Sequence, residues 1–179
     1  MKNETKKLVA AALCLAAGLL LPMVFHAFGA AAGQVFLPMH IPVLVCGLIC
    51  GWKYGGICGF ILPLLSSFAT GMPPLYPVGL VMMFELCVYG IVSGLLYRRV
   101  NVYLALIGAM LAGRVVSGIL NTILLGMAGT PYSFEIFLTN SFVVALPGII
   151  IQIVVIPVLV LLLKKTGWQF DRELKAKTA

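Results

Sequence analysis

The chain has 179 residues, 62% of them hydrophobic and 9% charged, with a mean hydropathy of +1.13 and a formal net charge of +7. A soluble domain carries about 25% charged residues, so this chain has too little polar surface to cover a water-facing fold. Composition excludes a soluble enzyme or binding domain and predicts an all-α, polytopic integral membrane protein.

A span takes roughly 20 apolar residues, so the length accommodates six transmembrane helices in a single membrane domain, residues 1–179, with no room for a soluble one. The expected spans are 8–28, 39–52, 55–70, 78–97, 102–127 and 136–163, followed by a basic tail, 164–179. The first follows a short basic leader, MKNETKK. A cleaved signal sequence is the rival reading of that segment, but five further spans follow and this helix is useful to them. Its Ala12-xxx-Ala16 pattern lets another helix approach closely, either one from this chain or one from a partner. His26, near the outer end, reads as interfacial.

Residues 39–70 read as a helical hairpin turning at Lys53-Tyr54-Gly55-Gly56. Gly47, Gly51, Gly55 and Gly59 recur at four-residue spacing around that turn, which strips side chains from one face and allows backbone-to-backbone packing. Pro42 is tolerated in a first turn, whereas Pro63 should kink its helix. The loop Gly71-Met72-Pro73-Pro74-Leu75-Tyr76-Pro77 is stiff, because three prolines fix φ. The fourth span carries Glu85, the fifth carries Arg114, Ser117, Gly118 and Asn121 on one face, and the sixth carries Asn140, Pro147 and Gln152. The intervening loop contains Gly129, Pro131 and Tyr132. Cys14, Cys46, Cys50, Cys58 and Cys87 all fall in apolar runs and read as small packing residues, implying neither metal nor disulfide.

Every Lys and Arg except Arg114 falls in the leader, beside Lys53, at Arg98-Arg99 or after the sixth span, and the three opposite loops contain none. The positive-inside rule makes the basic side cytoplasmic, with both termini inside. This placement also accounts for the net charge without a nucleic-acid partner.

Ionisable groups at membrane depth are expensive and point to function. Glu85 lies 12 residues from the inner end of its span (Tyr97), Arg114 12 from Val102 and Gln152 11 from Leu163. At about 1.5 Å per residue all three sit about 17–18 Å above the cytoplasmic ends, so Glu85 and Arg114 are expected to pair, with Gln152 completing the hydrogen bonds. The pair is either the floor of a substrate pocket or a structural ion pair. In the outer half, His40, Tyr76, Tyr132, Asn121 and Asn140 could serve a polar heterocycle or a small carboxylate. The chain has no P-loop, no H-E-x-x-H and no G-x-S-x-G, so it is not expected to be an enzyme or to hold a cofactor. One carboxylate at depth is thin for an ion-coupling path, and energy is expected from partner subunits.

The size, the six expected spans, the Ala12-xxx-Ala16 helix and above all the stretch MHIPVLVCGLICGWKYG…GMPPLYP…MMFEL resemble the substrate-specific (S) component of energy-coupling factor (ECF) transporters. The resemblance covers nearly the whole chain. It implies an S-component-like bundle in the bacterial plasma membrane that binds a water-soluble vitamin or related trace nutrient. It also implies a membrane coupling (T) subunit, which meets the Ala12 and Ala16 face, and two cytoplasmic ATPases. The segment Met72, Pro73 and Pro74 takes the position of the family's gating loop. Two other readings stay open: an autonomous secondary transporter using Glu85 as a proton site, and an intramembrane enzyme built on His40 and Glu85.

Overall fold

The computed structural model describes residues 2–26, 29, 32–129 and 132–166. The tail after residue 166, the last two residues of the expected first span and Pro131 lie outside them. Among the described residues all regular structure is helical: α1 (Lys2–His26), α2 (Ala32–Phe36), α3 (His40–Cys50), α4 (Trp52–Thr70), α5 (Leu80–Tyr97), α6 (Val102–Met127), α7 (Phe134–Leu138) and α8 (Leu146–Lys165). Short π-helical turns lead into α5 (Leu75–Gly79) and follow α7 (Thr139–Val144).

Among the described residues five stretches are long and apolar enough to cross a membrane, in α1, α2–α3, the π turn with α5, α6, and α8. The expected span 55–70 is not among them. It lies in α4, which has 19 residues but carries Lys53, Gly55, Gly56, Gly59, Ser66 and Ser67, and these dilute its hydropathy. The segment expected as one span over 136–163 is broken. α7 and its π turn end at Ala145, and α8 restarts with a proline in its first turn, where the missing N–H and fixed φ cost nothing.

The hairpin turns at Gly51, two residues before the expected Lys53-Tyr54-Gly55-Gly56. Gly51 holds φ at 96° and ψ at 168°, a conformation L side chains avoid, so Lys53-Tyr54-Gly55-Gly56 becomes the first turn of α4. The glycines then do what their spacing predicts. A methyl group on Gly90 would fall on the carbonyl of Gly55, one on Gly59 on that of Leu86, and one on Gly94 on the backbone of Trp52. Helices α4 and α5 therefore meet backbone to backbone, and Gly47 of α3 closes against Gly90 in the same seam.

Helix α3 is the axle of the bundle. It is buried all round, touching α1, α4, α5 and α8, and Val43, Leu44 and Leu48 are fully enclosed with Leu62, Leu86 and Leu106. Cys46, Cys50 and Cys58 pack in that core as free thiols. The outside is also apolar: Leu8, Leu20, Ile119 and Leu161 are each more than half exposed, as a surface bathed in lipid requires. Lys7, Lys53 and Arg98 line one cavity, so the leader, the α3–α4 turn and the end of α5 lie at one end of the bundle.

Candidate functional site

The polar centre is assembled from three helices, α3, α5 and α6. Glu85 faces inward from the middle of α5, 4% exposed, and its Oε1 lies 3.1 Å from Arg114 Nη1 on α6. The pair expected from depth alone thus forms, in a geometry typical of a charge-assisted hydrogen bond or slightly longer. Each charge would be costly at this depth without the other.

The group completing the pair is Tyr89 and not Gln152. Tyr89 sits one helical turn after Glu85, and its hydroxyl donates to Glu85 Oε1 at 2.9 Å. Its ring is 1% exposed and presses on Gly113, where any Cβ would collide with the ring edge. The residue before Arg114 is therefore glycine because the tyrosine ring occupies that space. The signal was present in the sequence, since Glu85 and Tyr89 are i, i+4 neighbours on one face.

His40 enters from the first turn of α3. Its ring stacks obliquely on Tyr89, centroids 5.3 Å apart, and its Nε2 stands 3.8 Å from Glu85 Oε1. That is beyond hydrogen-bonding reach, so both ring nitrogens are buried without a partner among the described residues. Gln152 Nε2 on α8 is also buried and unpartnered. Gly148, one turn earlier on α8, packs on the backbone of Val35 and Phe36, one turn before His40 on the neighbouring segment. Buried polar atoms are nearly always satisfied in native proteins, so these three nitrogens are uncommitted hydrogen-bonding capacity.

The remaining expected residues sit elsewhere. Asn121 donates to the Ser117 carbonyl at 3.0 Å, back along its own helix. Asn140 lies exposed in the π turn after α7. Tyr76 is half-exposed and its hydroxyl donates to the Leu124 carbonyl at 3.4 Å, tying the proline loop to the C-terminal end of α6. That loop is laced to α4: Ser66 Oγ donates to the Met72 carbonyl at 2.7 Å and Ser67 Oγ to that of Pro73 at 2.6 Å; the Gly79 N–H, in the π turn before α5, donates to the Pro74 carbonyl at 2.8 Å. Ala12 and Ala16 face outward on α1, beside exposed Leu13 and Leu20; among the described residues no helix covers them.

A cavity of about 520 Å³ lies apart from the ion pair. It is a groove between α6 and α7, bounded by Gly118, Ile119, Thr122, Tyr132, Phe134 and Phe137. Tyr132 connects the two regions. Its phenol titrates above the ordinary tyrosine range, chiefly through burial and then through the negative charge of Glu85, partly offset by Arg114. The groove thus lies within the electrostatic reach of the pair. Among the described residues no group of His, Cys, Asp and Glu is arranged to hold a metal ion.

A family model described as "ECF transporter, substrate-specific component" matches residues 6–160. No curated protein and no solved structure matches the chain.

Proposed function

As the chain belongs to the family of ECF transporter substrate-specific components, we propose that it is the membrane subunit that binds a water-soluble vitamin or related trace nutrient for an ECF-type ABC importer. The observation that carries this reading is the buried cluster of His40, Glu85, Tyr89 and Arg114, whose two unpartnered ring nitrogens offer hydrogen bonds to a polar ligand at membrane depth. Arg114 is already neutralised by Glu85, so the cluster offers hydrogen bonds rather than net charge. The proline loop, tied to α4 and to α6, serves as lid, and Tyr76, Asn121 and Asn140 lie on the outer side where cargo arrives.

In this reading α4 is a sixth membrane helix, sheltered by α3 and α5, and both termini are cytoplasmic in a bacterial plasma membrane. The outward face of Ala12 and Ala16 meets a coupling T subunit, and ATP hydrolysis on two cytoplasmic ATPases drives uptake. The chain itself turns nothing over.

Native mass spectrometry of the purified chain should reveal a co-purified small molecule, and uptake of that molecule should require co-expressed T and ATPase subunits. The closeness of His40 to Glu85 supports one alternative, a proton-coupled transporter acting alone. Uptake by this chain alone, driven by a pH gradient, would replace the first reading with the second.

A further inference from the structure

The buried cluster balances its charges yet leaves one side chain with its polar atoms unmet. Glu85 and Arg114 cancel across 3.1 Å, and Glu85 Oε1 also accepts from the Tyr89 hydroxyl at 2.9 Å. His40 is 3% exposed, and among the described residues neither of its ring nitrogens has a hydrogen-bond partner.

The protonation state of that ring follows from its surroundings. An imidazolium has two N–H donors and needs two acceptors. The carboxylate oxygen facing it stands 3.8 Å away and already serves Tyr89 and Arg114. A third charge here would lack a counterion, which is expensive at membrane depth. His40 is therefore a neutral imidazole, with one nitrogen that donates and one that accepts. Its ring contact with Tyr89, centroids 5.3 Å apart, positions it without using either nitrogen.

Ligand classes meet these two nitrogens differently. A carboxylate or phosphate only accepts, so it serves the donor nitrogen and leaves the other unmet; an ammonium group does the reverse. Either one also adds an uncompensated charge to a cluster that is already neutral. A hydroxyl or primary amide both donates and accepts, so it can serve whichever nitrogen it meets. We infer that the cluster selects an uncharged cargo bearing hydroxyl or amide groups, and that His40 is the residue that reads them. This selectivity rests on the cargo-binding role proposed above for the same cluster. Of the polar heterocycle and the small carboxylate that the sequence allows, it removes the carboxylate.

The test is the molecule that the full-length chain retains through purification, identified by native mass spectrometry with fragmentation. It should be uncharged at pH 7 and carry hydroxyl or amide groups. His40→Phe keeps a ring against Tyr89 and removes both nitrogens. It should bind that molecule about 10–100-fold more weakly, yet melt at or above the parent's midpoint, because two unmet polar atoms are gone. His40→Gln keeps one donor and one acceptor and should stay within about tenfold of the parent's affinity, which preserves the test should H40F fail to fold. Among matched probes, nicotinamide should raise the midpoint more than nicotinate, and pyridoxine more than pyridoxine phosphate. A retained molecule with a carboxylate, phosphate or ammonium group, a larger shift with the ionised member of either pair, or full affinity in H40F would overturn the proposal. A chain that retains nothing and shifts with none of the four probes would overturn the cargo-binding role itself.

Discussion

Replacing Glu85 by Gln removes one charge from a pair in which Glu85 is 4% exposed and 3.1 Å from Arg114 Nη1. Breaking a buried pair from one side costs about 3–5 kcal/mol, because the surviving charge stays desolvated. For a chain of this size each kcal/mol moves the midpoint by about 2–4 °C, so Glu85→Gln should lower it by roughly 6–20 °C. Arg114→Gln should cost somewhat less, since an orphaned carboxylate can be neutralised by a proton and a guanidinium cannot. The double variant, E85Q/R114Q, places two neutral amides in contact and should recover most of the loss. Fluorescence-detected size-exclusion thermostability on the four proteins closes the cycle. Independent sites add within about 0.5 kcal/mol, whereas here the double variant should be more stable than either single. A double variant as unstable as the sum of the singles would refute the coupling. Cargo affinity measured on the double variant then separates the roles: unchanged affinity leaves the pair a purely structural part.

The glycine seam predicts a contrast between two otherwise similar substitutions. Gly90→Ala drives a methyl group into the Gly55 carbonyl and should abolish folded yield, whereas Gly126→Ala meets nothing within 4 Å and should be neutral or stabilising by about 0.5–1 kcal/mol in a thermal melt. S66A/S67A removes the two hydroxyl bonds that hold the proline loop, each worth about 1 kcal/mol. Amide exchange should rise at Met72, Leu75 and Tyr76 while the bundle's midpoint stays nearly unchanged. Ala12→Trp and Ala16→Trp alter only an outward face; the chain should remain folded and cargo-competent, yet uptake and co-purification with the coupling subunits should fall at least tenfold.

Some of this protein was legible without a structure because it depends on arithmetic along one helix. Depth is local: 1.5 Å per residue from a charged end put Glu85 and Arg114 at one level, and they meet there. The four-residue glycine repeat is local as well, and its backbone seam forms. Even Gly51 was visible as a member of that repeat, although its positive φ, which moves the turn, was not.

Rotation about each helix axis was not legible. In water an amphipathic stripe reveals which way a helix faces, but lipid is as apolar as the core, so both sides of these helices read alike. Leu106, fully buried, and Ile119, half-exposed, are indistinguishable as letters. That is why Asn121, at the right height, bonds its own helix, while Tyr89 completes the pair in place of Gln152. The sequence by itself determined the class of the molecule, the charge bias between its two ends and the heights of its polar groups. Only the tertiary structure decided which of those groups face one another, because the rotation of each helix is set by the shapes packed against it, as where Gly113 yields its space to Tyr89.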